Sequence, residues 1–443
     1  MTTPAGSGAA GSGAAGAGVV AARHIGLIGI ILIAANGMIG TGIFALPGKL
    51  DAAVGAFAPL LLLIAGLGMA CIALSFGDCA RHFDRSGGPL LYVGTAFGPL
   101  PGFVIGWLAY VARIASIAAN ATVLATTAAL FFPIAATVAG RSALIVAVFA
   151  TLITLNIVGV RRALAFLGGI TVLKVAPLLL LAVAALAAYG VGPAPSLPTL
   201  SSVESIALVS LYAFTAFETA TVPAAETRDP QRAIPIALVG TVLAITLLYV
   251  LVQWAYSASG QGASDTPLVD LAGTLGGSVA AAAIAVTVIV SIVGNQASAI
   301  LSNSRITVAM AEQRMIPRVF ASISPRFGTP VVSILFYGIA AMALALSGSF
   351  VFLAVISALA RLFAYLGCIA AAPVLDRQFG TRRPWPRRRL FPIIAAALCL
   401  WAMTQTKPDE WHSLGLLALA GAVLYLIARR STGWLTPLPP PTA

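Results

Sequence analysis

The sequence predicts an all-α membrane protein with twelve transmembrane helices: two five-helix halves of opposite orientation, followed by two accessory helices. Three observations carry this. Hydrophobic residues make up 60% of the 443 and charged residues only 9%, against roughly a quarter charged in a soluble domain. Twelve apolar stretches are long enough to span, at about 17–25 residues each. The basic residues also fall overwhelmingly on one side of the resulting topology.

The first 22 residues are rich in Gly, Ala and Ser, with GSGAAG repeated at Gly6–Gly11 and Gly11–Gly16. No strand or dinucleotide unit surrounds the repeat, and no basic and apolar leader regions are present, so 1–22 reads as a disordered cytoplasmic tail. The spans follow near 25–48, 54–78, 97–131, 142–160, 164–190, 203–223, 233–257, 277–304, 330–347, 350–372, 390–406 and 412–429. The third is longer than a bilayer needs, which implies tilt or extension beyond it. The first inverted repeat occupies 23–190, the second 203–372 and the accessory helices 388–430. A Pro-rich tail closes the chain at 431–443.

Nineteen of the 25 basic residues lie on one face, and only Lys49, Arg141 and Lys407 on the other. Cytoplasmic loops collect Lys and Arg, so both termini are placed in the cytoplasm, at a plasma (inner) membrane. The formal net charge of +12 is then topogenic, and no nucleic-acid partner is implied. Cys71, Cys79, Cys368 and Cys399 lie in or beside spans, so no disulfide framework is expected.

The first span is broken in its middle. Asn36-Gly37-Met38-Ile39-Gly40-Thr41-Gly42 holds three glycines in six residues, each costing about 1 kcal/mol relative to Ala in a helix. Irregular backbone at membrane depth survives only where it is buried in protein or lines a cavity. The sixth span repeats the feature: Tyr212-Ala213-Phe214-Thr215-Ala216-Phe217-Glu218 sets polar residues and one carboxylate in mid-span, with Pro223 after them. The two spans begin five apart, an odd number, so two five-span halves must run in opposite directions. Paired interruptions in corresponding helices point to a transporter's substrate site.

These residues resemble the amino acid–polyamine–organocation (APC) transporters. Gly40-Thr41-Gly42-Ile43-Phe44 is similar to the family's first-helix signature. Phe214–Glu218, then Glu226-Thr227-Arg228-Asp229-Pro230-Gln231-Arg232-Ala233-Ile234-Pro235, resembles its sixth helix and the loop beyond. Gly87-Gly88-Pro89 through Gly106-Trp107, and Arg314-Met315-Ile316-Pro317 with Thr329-Pro330, resemble two of its connections. The likeness covers roughly residues 25–375. Ala216 departs from the pattern, which has Gly there. The resemblance implies a LeuT-type fold, alternating access and a sodium-independent amino acid permease, working as a symporter or an antiporter.

The candidate substrate residues are Ile39, Gly40, Thr41, Gly42, Tyr212, Phe214, Thr215 and Ala216. Free N–H groups at Gly42 suit a carboxylate, and unwound carbonyls from Tyr212 to Thr215 suit an ammonium. Packing between small residues is the competing reading of the glycines.

Lys174 lies mid-span in the fifth helix, where a charged lysine costs at least about 2.5–3.5 kcal/mol unless paired or functional. The resemblance implies that it stands where sodium-coupled relatives bind sodium. It is either a proton carrier or a permanent structural cation. Glu218 is a second candidate for proton coupling, or a structural hydrogen-bond acceptor for Arg113 or Arg361.

Three scattered histidines and no hydrolase motif leave no metal or nucleophile constellation, so no cofactor and no enzyme activity is expected. The expected partners are an amino acid or amine, protons and the bilayer. The alternatives are a polyamine or other organic-amine transporter of the same fold, and a non-transporting receptor.

Overall fold

The computed structural model describes residues 25–85, 87–158, 163–222 and 224–432. The tail at 1–22, Arg23, His24, Arg161, Arg162, Pro223 and residues 433–443 of the C-terminal tail lie outside them. Among the described residues the chain is helical, and the only β contact is an isolated bridge between Ile25 and Thr227.

The first predicted span is three helices in series: α1 (Leu27–Met38), α2 (Gly42–Ala45) and α3 (Pro47–Val54). Next come α4 (Ala58–Ala80), α5 (Pro89–Phe97), α6 (Pro99–Ala128), α7 (Val138–Val158) and α8 (Ala163–Tyr189). The second half holds α9 (Leu200–Tyr212), α10 (Pro230–Ser259), α11 (Pro267–Glu312), α12 (Val331–Ser347) and α13 (Phe350–Gln378). The chain ends on α14 (Phe391–Thr404) and α15 (Pro408–Thr432). Proline opens α3, α5, α6, α10, α11 and α15, where its missing N–H is lost anyway and its fixed φ suits the first turn.

Among the described residues ten helical segments are long and apolar enough to cross a membrane, and the predicted stretches at 330–347 and 390–406 form the shorter helices α12 and α14. The overlong third stretch is the single 30-residue helix α6, and Gly98, at φ 99°, separates it from α5 at the stretch's start. α11, by contrast, is two helices, broken at Gly276–Gly277 with Gly277 at φ 67°. The predicted eighth span begins at that break.

α4 lies along α10, and α6 packs against α11 and α13. α1 rests against α10, α8 and the short 3-10 turn Phe217–Thr221. The interrupted first and sixth spans therefore meet in the centre of the bundle.

Candidate functional site

α1 stops because Ile39 leaves helical geometry, at φ −77° and ψ 74°. Those angles form an inverse γ-turn, in which the Gly40 N–H donates to the Met38 carbonyl at 2.8 Å. The carbonyls freed at the end of α1 are then met from three other helices. Lys174 Nζ (α8) donates to Ile39 O at 3.2 Å. Tyr249 Oη (α10) donates to Met38 O at 3.0 Å. Asn295 Nδ2 (α11) donates to Asn36 O at 2.6 Å. The negative end of α1 is thus well partnered.

The other side of the break is not. Thr41 O accepts from the N–H groups of Phe44 and Ala45. The N–H groups of Thr41, Gly42 and Ile43 find no acceptor among the described residues. All three residues are buried. A buried donor left unsatisfied costs about 1–3 kcal/mol, a cost that an added acceptor would relieve.

The second break supplies the complement. α9 ends at Tyr212, and Tyr212 O is taken by the Thr215 N–H and hydroxyl at 3.1 and 2.8 Å. The carbonyls of Ala213, Phe214 and Thr215 receive no hydrogen bond among the described residues. Ala216 then turns the chain with φ 75°. That left-handed value costs an L-residue roughly 1–2 kcal/mol, and it explains on steric grounds why glycine suits this position. Ala216 O accepts from the Thr219 N–H at 3.2 Å.

The breaks touch. A Cβ on Gly42 would stand 3.0 Å from Ala213 Cα, and one on Gly37 would stand 2.8 Å from Ala216 O. Gly42 therefore works as a packing glycine as well as a source of a free N–H. Its smallness brings free donors of the first break beside free acceptors of the second.

Thr41 donates its hydroxyl to Asn120 Oδ1 at 2.7 Å, so that proton is already committed. Asn120, on α6, also accepts from Tyr212 Oη at 3.3 Å and donates to Asn295 Oδ1 at 3.1 Å. This asparagine bridge ties both breaks to α6 and α11. Sequence reasoning passed over Asn120 and Asn295, although an amide in an apolar span is itself a signal of function.

Phe214 is fully buried against Tyr249, ring centroids 5.4 Å apart. Phe217 packs with Phe76 and Tyr365.

Lys174 is 1% exposed, and its one hydrogen bond among the described residues is to Ile39 O. Ser291 Oγ, buried on α11, makes no hydrogen bond among the described residues. Glu218 is held by both intramembrane arginines rather than one. Arg361 Nε donates to its Oε1 at 3.1 Å, Tyr365 Oη to its Oε2 at 3.2 Å, and Arg113 Nη2 stands 3.6 Å from Oε1. Arg361 Nη1 also donates to Thr215 Oγ1 at 2.7 Å, which joins this cluster to the second break.

At the edge of the bundle His82 Nε2 lies 3.2 Å from Asp376 Oδ1, and Arg383 pairs with both Asp78 and Asp376. Burial pushes the His82 imidazole below its usual value, and the Asp376 contact opposes this. All four cysteines are free, and no group of metal-ligating side chains occurs among the described residues.

A family model for amino acid permeases matches residues 25–421. An uncharacterized transporter of Mycobacterium tuberculosis (strain ATCC 25618 / H37Rv) is 30% identical over 390 residues, covering 85% of each chain. The methylthioribose transporter of Bacillus subtilis (strain 168) is 26% identical, covering 92% of this chain and 94% of its own. The serine/threonine exchanger of the same organism is 25% identical, covering 91% and 96%. With ten membrane-length apolar segments among the described residues and a permease model matched along nearly its whole length, this integral membrane protein belongs to the amino acid permease family of the APC superfamily.

Proposed function

We propose that the protein is a sodium-independent secondary transporter of amino acids, working by alternating access with proton coupling or exchange. One observation carries the reading: three free N–H groups at Thr41–Ile43 beside three free carbonyls at Ala213–Thr215. A zwitterion matches this pair of poles. Its carboxylate takes the donors, helped by the positive end of the helix that starts at Gly42. Its ammonium takes the acceptors of the second break.

Sodium independence rests on Lys174. Its ammonium already donates to the Ile39 carbonyl, an oxygen that a bound cation would otherwise use. Either role left open by the sequence, proton carrier or fixed cation, keeps sodium from that carbonyl.

Twelve spans in a LeuT-type 5+5 arrangement, with both termini cytoplasmic, complete the proposal. Contacts between counterparts support it, since α1 meets the sixth-span turn, α4 meets α10 and α6 meets α11. Loop contacts agree with the alternation. Lys49 pairs with Asp265, and Trp254 Nε1 donates to Val191 O, on one predicted face. His82 meets Asp376, and Thr329 donates to Ile157 O, on the other. The two repeats are 23–190 and 203–372, with 388–430 accessory.

The test is a thermal-shift panel on the purified protein, because a ligand that binds only the folded form raises apparent stability by mass action. L-amino acids should stabilise it and their decarboxylated amines should not. Stabilisation by the amines alone would favour an organic-amine transporter. The relative named for methylthioribose makes that sugar a necessary member of the panel.

A further inference from the structure

The cluster beside the second break is unbalanced. Arg113, Arg361 and Glu218 are 6%, 1% and 4% exposed. Two guanidiniums face one carboxylate, which leaves one net positive charge in the interior. Arg361 is well used: it donates to Glu218, Thr215 and Ser357. Arg113 is not. Its only polar contact among the described residues is the 3.6 Å ion pair with Glu218, beyond hydrogen-bond reach. A buried guanidinium with five donors and no hydrogen bond is costly unless an acceptor joins it.

Arg113 also has a position. On α6, Arg113, Ser116 and Asn120 are spaced three and four apart, so they share a face. Asn120 touches the first break through Thr41, and Ser116 approaches Tyr212 Oη at 3.4 Å. Arg113 lies seven residues from Asn120, about 10 Å along the helix axis. The same face that borders the α-carboxylate and ammonium poles therefore carries an unused cation farther along.

We propose that the substrate is an amino acid with an acidic side chain, whose second carboxylate binds Arg113. This rests on the amino acid reading above and names its substrate class. A zwitterion adds no net charge and leaves the cluster at one positive. A ligand of net charge −1 closes the balance and gives Arg113 its acceptors, with bidentate geometry available to a guanidinium and a carboxylate. The axial distance suits glutamate better than the shorter aspartate. Cationic amino acids and polyamines meet two guanidiniums and are repelled.

The experiment is binding of labelled L-glutamate to the purified full-length protein, competed with L-aspartate, L-serine, L-lysine and putrescine. Glutamate should compete at least about tenfold better than serine, aspartate should fall between them, and lysine and putrescine should not compete. In Arg113→Gln the glutamate-to-serine preference should collapse by at least about tenfold, and Arg113→Lys should keep part of it. Size-exclusion elution reports that each variant is folded, and the wild-type competition series decides alone where a variant is not. Serine bound in preference to glutamate, or an undiminished preference in folded Arg113→Gln, overturns the proposal while leaving amino acid transport intact. Stabilisation by chloride with none by glutamate also overturns it, since a small inorganic anion then satisfies Arg113. Binding of no amino acid at all overturns both this proposal and the reading it rests on.

Discussion

Replacing Glu218 by glutamine should destabilise the protein through charge rather than shape. Among the described residues Glu218 is the one carboxylate paired with Arg361 and Arg113, at 3.1 and 3.6 Å. Glu218→Gln raises the interior excess from one positive charge to two. Removing one partner of a buried ion pair costs about 3–5 kcal/mol. Glutamine retains an oxygen that can accept from Arg361 or Tyr365, which places the loss near the lower end, at about 3 kcal/mol. Adding Arg361→Met restores the native excess of one. It also removes hydrogen bonds to Thr215 and Ser357, but both hydroxyls keep a second partner: Thr215 donates to Tyr212 O and Ser357 to Ala112 O. The double variant should therefore recover about half of the loss, roughly 1.5 kcal/mol, whereas additive effects would leave it less stable than either single variant. The assay is tryptophan-monitored thermal unfolding in one detergent for wild type, both single variants and the double. A double variant no more stable than Glu218→Gln would refute the charge argument.

Three further outcomes follow from the geometry. Ala216→Gly should raise stability by about 0.5–1 kcal/mol, because relief of the left-handed strain exceeds glycine's extra chain entropy; a lower unfolding temperature would contradict this. Gly42→Val should abolish amino acid binding, since its Cβ would stand 3.0 Å from Ala213 Cα and prise the breaks apart; native affinity in a folded variant, read by ligand-induced thermal shift, would exclude the paired-break site. His82 lies outside the predicted spans and titrates below its ordinary 6.5, so its contribution to stability is complete above that pH and is lost as the pH falls through its folded value. The unfolding temperature should fall on acidification below 6.5, and His82→Gln should flatten that fall; an identical pH profile in the variant would show that another group is responsible.

The spans and their two interruptions were legible because hydropathy and glycine content are local properties of the chain. Lys174 and Glu218 stood out for the same reason: a charge in an apolar stretch is visible without any partner. The partners were not legible. Arg361 and Glu218 are 143 residues apart, and Lys174 and Ile39 are 135 apart, so nothing local records that they meet. The sequence allowed Arg113 or Arg361 as the partner of Glu218, and packing uses both. Asn120 was overlooked because one amide in a run of Ala and Ile changes the hydropathy little, yet it carries the bridge between the breaks. Ala216 was visible as a departure from the family pattern, but the backbone angle that gives it meaning belongs to the folded chain. The breaks at Gly98 and Gly276–Gly277 fall at the starts of the third and eighth predicted spans, but the positive φ of Gly98 and Gly277 has no compositional mark.

The most direct measurement is counterflow in proteoliposomes reconstituted with the purified protein, loaded with unlabelled L-amino acid and diluted into labelled L-amino acid with choline replacing sodium on both sides. On the proposed mechanism, in which the paired breaks take the zwitterion and Lys174, bonded to the Ile39 carbonyl, takes the place of sodium, label should accumulate transiently against its own gradient in the absence of sodium. Counterflow that appears only when sodium is restored would contradict the role given to Lys174, and no counterflow of any amino acid under either condition would contradict amino acid transport itself.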